Sequence, residues 1–229
     1  MLYKYVIIIL IALFISSCGA KEKPKTLEGN IDVDSKIYIV PIGDIDVKFL
    51  NPLIPKLQTR FTTDVYLAFD KRIPLPEDAY DYDSQQYIAI YVLDYMSKKL
   101  KFPPDVKVLG VTNVDIFTPA SDLVFLFGMA YRKANMALMS NVRMDPRYYF
   151  GGKPNDQLLV QRMEKEAVHE LGQLFGLDNA YDIGCVMFLP KNVKELDRKS
   201  DNFCMECQKK FLELKKSAEK IPSPGNFSK

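Results

Sequence analysis

The 229-residue chain carries 31 Lys and Arg against 29 Asp and Glu, one histidine and four cysteines. Its 48% apolar and 26% charged content excludes global disorder, and a formal charge of +2 gives no electrostatic reason to expect nucleic acid or an acidic membrane surface as partner. One histidine excludes any single-chain site built on two or three imidazoles, and four cysteines are too few for a disulfide-dense scaffold.

The chain opens with one positive charge in Met1–Lys4 and an apolar run from Tyr5 to Ile15. Eleven apolar residues fall well short of the roughly 20 that a helix needs to span a bilayer. The run ends in Ile15-Ser16-Ser17-Cys18-Gly19, small residues before a cysteine, which has the three-part form of an export signal. It resembles a bacterial lipobox, implying cleavage before Cys18, diacylglycerol on its sulfur and a lipid anchor in the bacterial cell envelope. Gly19 is not the aspartate associated with inner-membrane retention, so the outer membrane is favoured. Residues 1–17 therefore read as signal peptide, 18–35 as a polar tether, 36–220 as one domain and 221–229 as a disordered tail.

Lys36–Gly43 reads as a first strand, and Asp46–Phe61 as an amphipathic helix interrupted by Pro52 and Pro55. Thr63–Phe69 is a second strand. Ser84–Leu100 has apolar residues at three and four spacing with Lys98 and Lys99 in its last turn, so it reads as a helix. Val106–Val111 is a third strand, and Leu123–Val142 a hairpin turning at Arg132-Lys133. Leu158–Phe175 is a long helix, stopped where Gly176 tolerates positive φ. A last helix covers about Asp201–Lys220, with its lysines from 209 to 216 on a solvated face. Strands mixed with helices indicate an α/β or α+β domain with a mixed sheet.

Chemistry concentrates between Ala167 and Cys207. A helical H-E-x-x-H places two imidazoles one turn apart on one face, with the glutamate beside them as general base of a zinc peptidase. Metzincins add a glycine where the helix breaks, a third ligand three residues later and a methionine turn beneath the metal. His169, Glu170, Gly176 and Met187 occupy such places, while Gln173 and Asn179 stand at the second and third ligand positions.

With Cys185 two residues before Met187, and Cys204-x-x-Cys207 after 16 intervening residues, the segment resembles the archaemetzincins. Their pattern includes a second zinc site of four cysteines, of which Ala180 replaces the first. Val108–Thr112, Asp115–Phe117, Phe127–Ala130 and Ser140–Arg143 also look like the family's core strands, so the resemblance spans about residues 36–212. It implies a metzincin-like fold: a mixed twisted sheet, an active-site helix, a glycine break and a methionine turn.

The same comparison implies lost catalysis. A carboxamide is a poor zinc ligand, and one imidazole leaves Glu170 no metal-bound water to deprotonate. On that reading His169 and Glu170 mark the floor of an old cleft, Gln173 hydrogen-bonds where a metal once sat, and Met187 serves packing, the turn, or both. Cys185, Cys204 and Cys207 admit a zinc completed by water, Asp182 or Glu206, or a disulfide plus a spare thiol, or three packed thiols. The oxidising location tips the reading to the disulfide. The expected function is a non-catalytic binding or scaffold protein, with a peptide or protein partner in the old cleft and no nucleic acid. The alternative is an active zinc-dependent metallopeptidase using His169 with substitute ligands such as Asp178 or Asp182.

Overall fold

The computed structural model describes residues 36–219. The expected signal peptide, the tether with Cys18 and the tail at 221–229 lie outside the described residues. Among the described residues no helix is long and apolar enough to cross a membrane.

The elements run β1 (Ile37–Pro41), α1 (Leu53–Phe61), β2 (Val65–Leu67), β3 (Tyr80–Asp81), β4 (Gln86–Ile88), α2 (Ala89–Lys99), β5 (Lys107–Thr112), β6 (Ile116–Phe117), β7 (Gly128–Tyr131), β8 (Met136–Ser140), α3 (Asp156–Leu174), α4 (Val193–Arg198) and α5 (Met205–Glu219). Five strands form one mixed sheet in the order β2-β1-β5-β8-β7. All its neighbours are parallel except the edge strand β7, which pairs antiparallel with β8. β3, β4 and β6 make a smaller sheet.

Alternation along the central strands explains the layering. Ile37 and Ile39, Leu109 and Val111, and Ala137 and Met139 face a core filled by Leu53 and Leu57 of α1 and by Leu159, Met163, Ala167 and Leu171 of α3. The intervening Val108, Met136 and Leu138 face the opposite core, under Val92, Leu93 and Met96 of α2. A largely parallel sheet needs both faces covered, and this one has them.

Four local differences from the sequence reading have physical causes. The helix expected from Ser84 starts at Ala89, because Tyr87 is held in a strand between Tyr80 and Ile116. β7 is shorter than the expected hairpin arm, since Leu126 already bridges to Ile116. α4 is additional: Asn192 caps it by accepting from the Glu195 N–H, and Glu195 in turn accepts from the Lys191 N–H. α5 begins at Met205, and its Lys215 is buried instead of solvated, donating to the carbonyls of Phe61 and Thr62 at 2.9 and 3.2 Å.

Candidate functional site

α3 is the scaffold of the site. Asn155 caps its start by accepting from the Leu158 N–H at 3.0 Å. Its end closes by two backbone bonds, Gly176 N–H to Gln173 O at 3.0 Å and Leu177 N–H to Gly172 O at 2.9 Å. These are the paired bonds of a Schellman motif, and Gly176 takes the left-handed position with φ +97°. The chain then turns back under the helix. Ala180 N–H donates to Met187 O at 2.8 Å, and Met187 is fully buried. A Cβ on Gly172 would lie 2.6 Å from the Met187 sulfur, so the methionine packs directly against the helix backbone.

His169, Gln173 and Asn179 converge as the spacing predicts. His169 is fully buried, and its Nδ1 lies 3.2 Å from the Val186 carbonyl oxygen. A carbonyl only accepts, so the imidazole carries its proton on Nδ1 and presents the Nε2 lone pair. That lone pair is taken by the Gln173 amide nitrogen at 3.0 Å, and the same nitrogen donates to Asn179 Oδ1 at 2.8 Å. Reversing the Gln173 amide would set two lone pairs against each other, so the tautomer fixes the orientation. Burial, reinforced by the charge of Lys199, lowers the His169 pKa to about 4. The ring is neutral at physiological pH.

Beside it lies a charged cluster that the sequence reading did not identify. Lys199 and Glu166, both buried, pair at 3.3 Å, and Lys199 also donates to Phe188 O. Glu170 is only 2% exposed and packs against β7, where a Cβ on Gly128 would meet its Oε1 at 2.7 Å. Burial and then the neighbouring Glu166 charge push the Glu170 carboxyl well above the usual carboxylate range. Its Oε2 is buried without a hydrogen-bond partner. The signal for Glu166 was present: positions 166, 169, 170 and 173 form one helical stripe, and charge on a core-facing stripe is anomalous. Lys199 lies in the chain after α4, where no periodicity marks it.

These groups do not fit a catalytic zinc. The one imidazole in the chain already spends its free nitrogen on an amide, and carboxamides complete the set. Among the described residues, the group of three or more His, Cys, Asp or Glu donors placed to share a metal ion consists of cysteines alone. Asp178 is committed elsewhere, accepting from Arg132 at 3.1 Å and from Lys210 at 2.7 Å. Asp182 accepts from its own loop at the Gly184 N–H, 2.8 Å away.

Cys185, Cys204 and Cys207 meet next to this site. All three are free thiols, so the disulfide plus spare thiol is not what the fold presents. Their sulfurs lie within 4.8 Å of one another, because Cys204 caps α5, Cys207 sits in its first turn, and the Cys204 N–H donates to the Cys185 sulfur at 3.2 Å. Three thiols so gathered are a competent soft-metal site, which makes zinc plausible here.

The sequence agrees with known proteins over the same span. The model for Peptidase family M54 matches residues 36–213. The archaemetzincin of Pyrococcus furiosus is 34% identical over 180 residues, covering 77% of this chain and 92% of the relative. That of Methanopyrus kandleri is 39% identical over 162 residues, covering 68% and 86%. Among solved structures, a zinc-dependent peptidase from Methanocorpusculum labreanum superposes with a TM-score of 0.69 at 29% identity, over 76% of this chain and 99% of that one. The Methanopyrus kandleri archaemetzincin structure gives 0.68 at 29% identity, over 81% and 97%. A metzincin-type helix, glycine break and buried methionine, on a sheet shared with these structures, have one reading: the chain belongs to peptidase family M54, the archaemetzincins.

Proposed function

We propose that this chain is a non-catalytic archaemetzincin, lipid-anchored through Cys18 in the bacterial cell envelope, that binds a peptide or protein partner without cutting it. The observation that carries the reading is the single Gln173 nitrogen, which joins His169 Nε2 at 3.0 Å to Asn179 Oδ1 at 2.8 Å. A peptidase zinc would need those same positions as ligands, and here they hydrogen-bond to each other. Glu170 supports the reading from the other side. A general base must be ionised and reach a water, whereas this carboxyl is buried and held toward its acid form. The edge strand β7 beside α3 supports binding, since an extended segment gains main-chain hydrogen bonds by adding to a sheet edge.

The test combines metal analysis with activity. The Cys204→Ser, Cys207→Ser double variant removes thiol-bound metal, leaving only what the His169 site retains. The expected result is no stoichiometric zinc in that variant, and no chelator-sensitive peptide cleavage by wild type. Stoichiometric zinc there, with cleavage that Glu170→Ala abolishes, would make the active metallopeptidase the correct account.

A further inference from the structure

The carboxyl ends of the parallel strands form a second polar site, which shares no lining residue with the His169 cluster. β1 and β5 are neighbours, but β1 leads to β2 on one side and β5 leads on to β8 on the other. The sheet order therefore reverses between them. In open α/β sheets the crevice at such a reversal, outside the carboxyl ends of the strands, is where ligands bind. Here the crevice is a cavity of about 350 Å³, within the range of small-molecule sites. Asp44 lines it from beyond β1, Asn113 from the end of β5 and Asn141 from the end of β8. The strand ends are locked together: Asn141 N–H donates to Thr112 O at 3.0 Å, and Ile42 N–H to Val111 O at 2.8 Å.

Asn141 is the residue that points to a ligand. It is only 6% exposed, it lines the cavity, and its side-chain amide has no partner among the described residues. It stands at the N-cap of the short turn Val142–Met144, where asparagine ordinarily caps, yet it makes no capping bond. A buried amide left unpartnered costs free energy, and a ligand in the cavity removes that cost. Thr112, next to Asn113, is fully buried with its hydroxyl unpartnered as well. The other charges around the cavity are engaged. Asp145 accepts from Arg147 Nε at 3.0 Å, and Asp46 accepts from the Lys48 N–H at 2.9 Å. Arg72, in the wall of a neighbouring cavity that Asp44 and Asn113 also line, donates to the carbonyls of Gly43 and Ile45. Its charge offsets that of Asp44, so the site is close to neutral.

We propose that this cavity binds a neutral sugar, one ring of which is held by Asp44, Asn113 and Asn141. A hydroxyl both donates and accepts, so neighbouring ring hydroxyls donate to the carboxylate and accept from the two amides at once. An anionic ligand meets Asp44 while Arg72 and Arg147 are already engaged. An amine satisfies Asp44 but leaves both amide N–H groups unmet. Phe49 and Tyr148 in the wall supply apolar ring surface for the C–H face of a sugar. Binding is hydrogen bonding and packing alone, and it is independent of what the His169 site holds.

NMR titration of the full-length chain tests it. The probes are glucose, galactose, mannose and N-acetylglucosamine, each up to about 50 mM, enough to fill a millimolar site. N-acetylalanine amide serves as a neutral peptide control. The side-chain amide signals of Asn113 and Asn141 are identified by their loss in Asn113→Leu and Asn141→Leu. At least one sugar should shift both signals saturably. Asn141→Leu and Asp44→Ala should each weaken that binding about tenfold or more, the loss that follows when a buried or charged hydrogen-bond partner is removed. Without sugar, Asn141→Leu should keep the wild-type melting temperature, because its amide gives up no protein partner; a residue retained for structure alone lowers it. If that variant fails to fold, Asp44→Ala, at an exposed position, decides. Asparagine signals indifferent to all four sugars, binding that survives both substitutions, or a peptide control that binds as tightly as the sugars overturns the proposal.

Discussion

Acid should unfold this domain through His169. The imidazole is fully buried, holds its proton on Nδ1 against Val186 O, and offers its other nitrogen to Gln173. Protonating Nε2 breaks the Gln173 bond and charges a site already next to Lys199. In the unfolded chain the ring titrates near its ordinary value of 6.5; in the fold it resists down to about 4. The unfolded state therefore binds the proton first as pH falls. Stability is full above about pH 6.5 and drains progressively toward pH 4. At about 1.4 kcal/mol per unit, the whole gap amounts to about 3 kcal/mol. The assay is reversible urea unfolding from about pH 7 to 5, before most carboxylates titrate, comparing wild type with His169→Gln in chelator. Wild type should lose about 2 kcal/mol more than the variant between pH 6.5 and 5. Parallel pH profiles for the two proteins would refute the buried neutral histidine, whatever their absolute stabilities.

Three further outcomes follow from the same cluster and from the N-terminus. Lys199→Met removes the partner of Glu166 inside the core and should cost about 3–5 kcal/mol by denaturant unfolding; a loss below about 1 kcal/mol contradicts the buried pair. Glu170→Gln replaces the raised carboxyl beside Glu166 with a group of the same shape that does not titrate. Because the Glu170 carboxyl is raised, its stabilising contribution is full at acid pH and is lost as pH rises, so the variant should gain on wild type from pH 5 to 8. A stability difference that stays flat with pH counts against the raised carboxyl. Cys18→Ser should abolish labelled palmitate incorporation in a bacterial host and change membrane fractionation; wild type that takes up no label refutes the lipobox.

The sequence was most legible where a local rule sufficed. The strands alternate as period two requires, α3 follows its apolar stripe, and Gly176 ends it with the expected positive φ. The convergence of His169, Gln173 and Asn179 was legible only because motif spacing encodes a fold-back that no periodicity describes. Reading failed where long-range partners override local preference. Gln86–Ile88 fits the helical pattern of α2, yet it pairs with β3 and β6. Lys215 looks like one more solvated lysine until α1 supplies two carbonyls for it. The cysteines illustrate the same limit: spacing permitted a disulfide, a metal or packed thiols, and only the arrangement of α5 against Cys185 gathers all three sulfurs at one point.

The central claim is that an intact metzincin backbone here carries a hydrogen-bond network in place of metal ligands. Its most direct test is zinc affinity after restoring both imidazoles, Gln173→His with Asn179→His, in the Cys204→Ser, Cys207→Ser background. The backbone already brings 169, 173 and 179 together, so the new ligands need little ordering. The account predicts a gain of roughly a thousandfold or more over the parent, at about one zinc per chain. A parent that already binds zinc stoichiometrically at this site, or a double-histidine variant that gains no affinity, would contradict it.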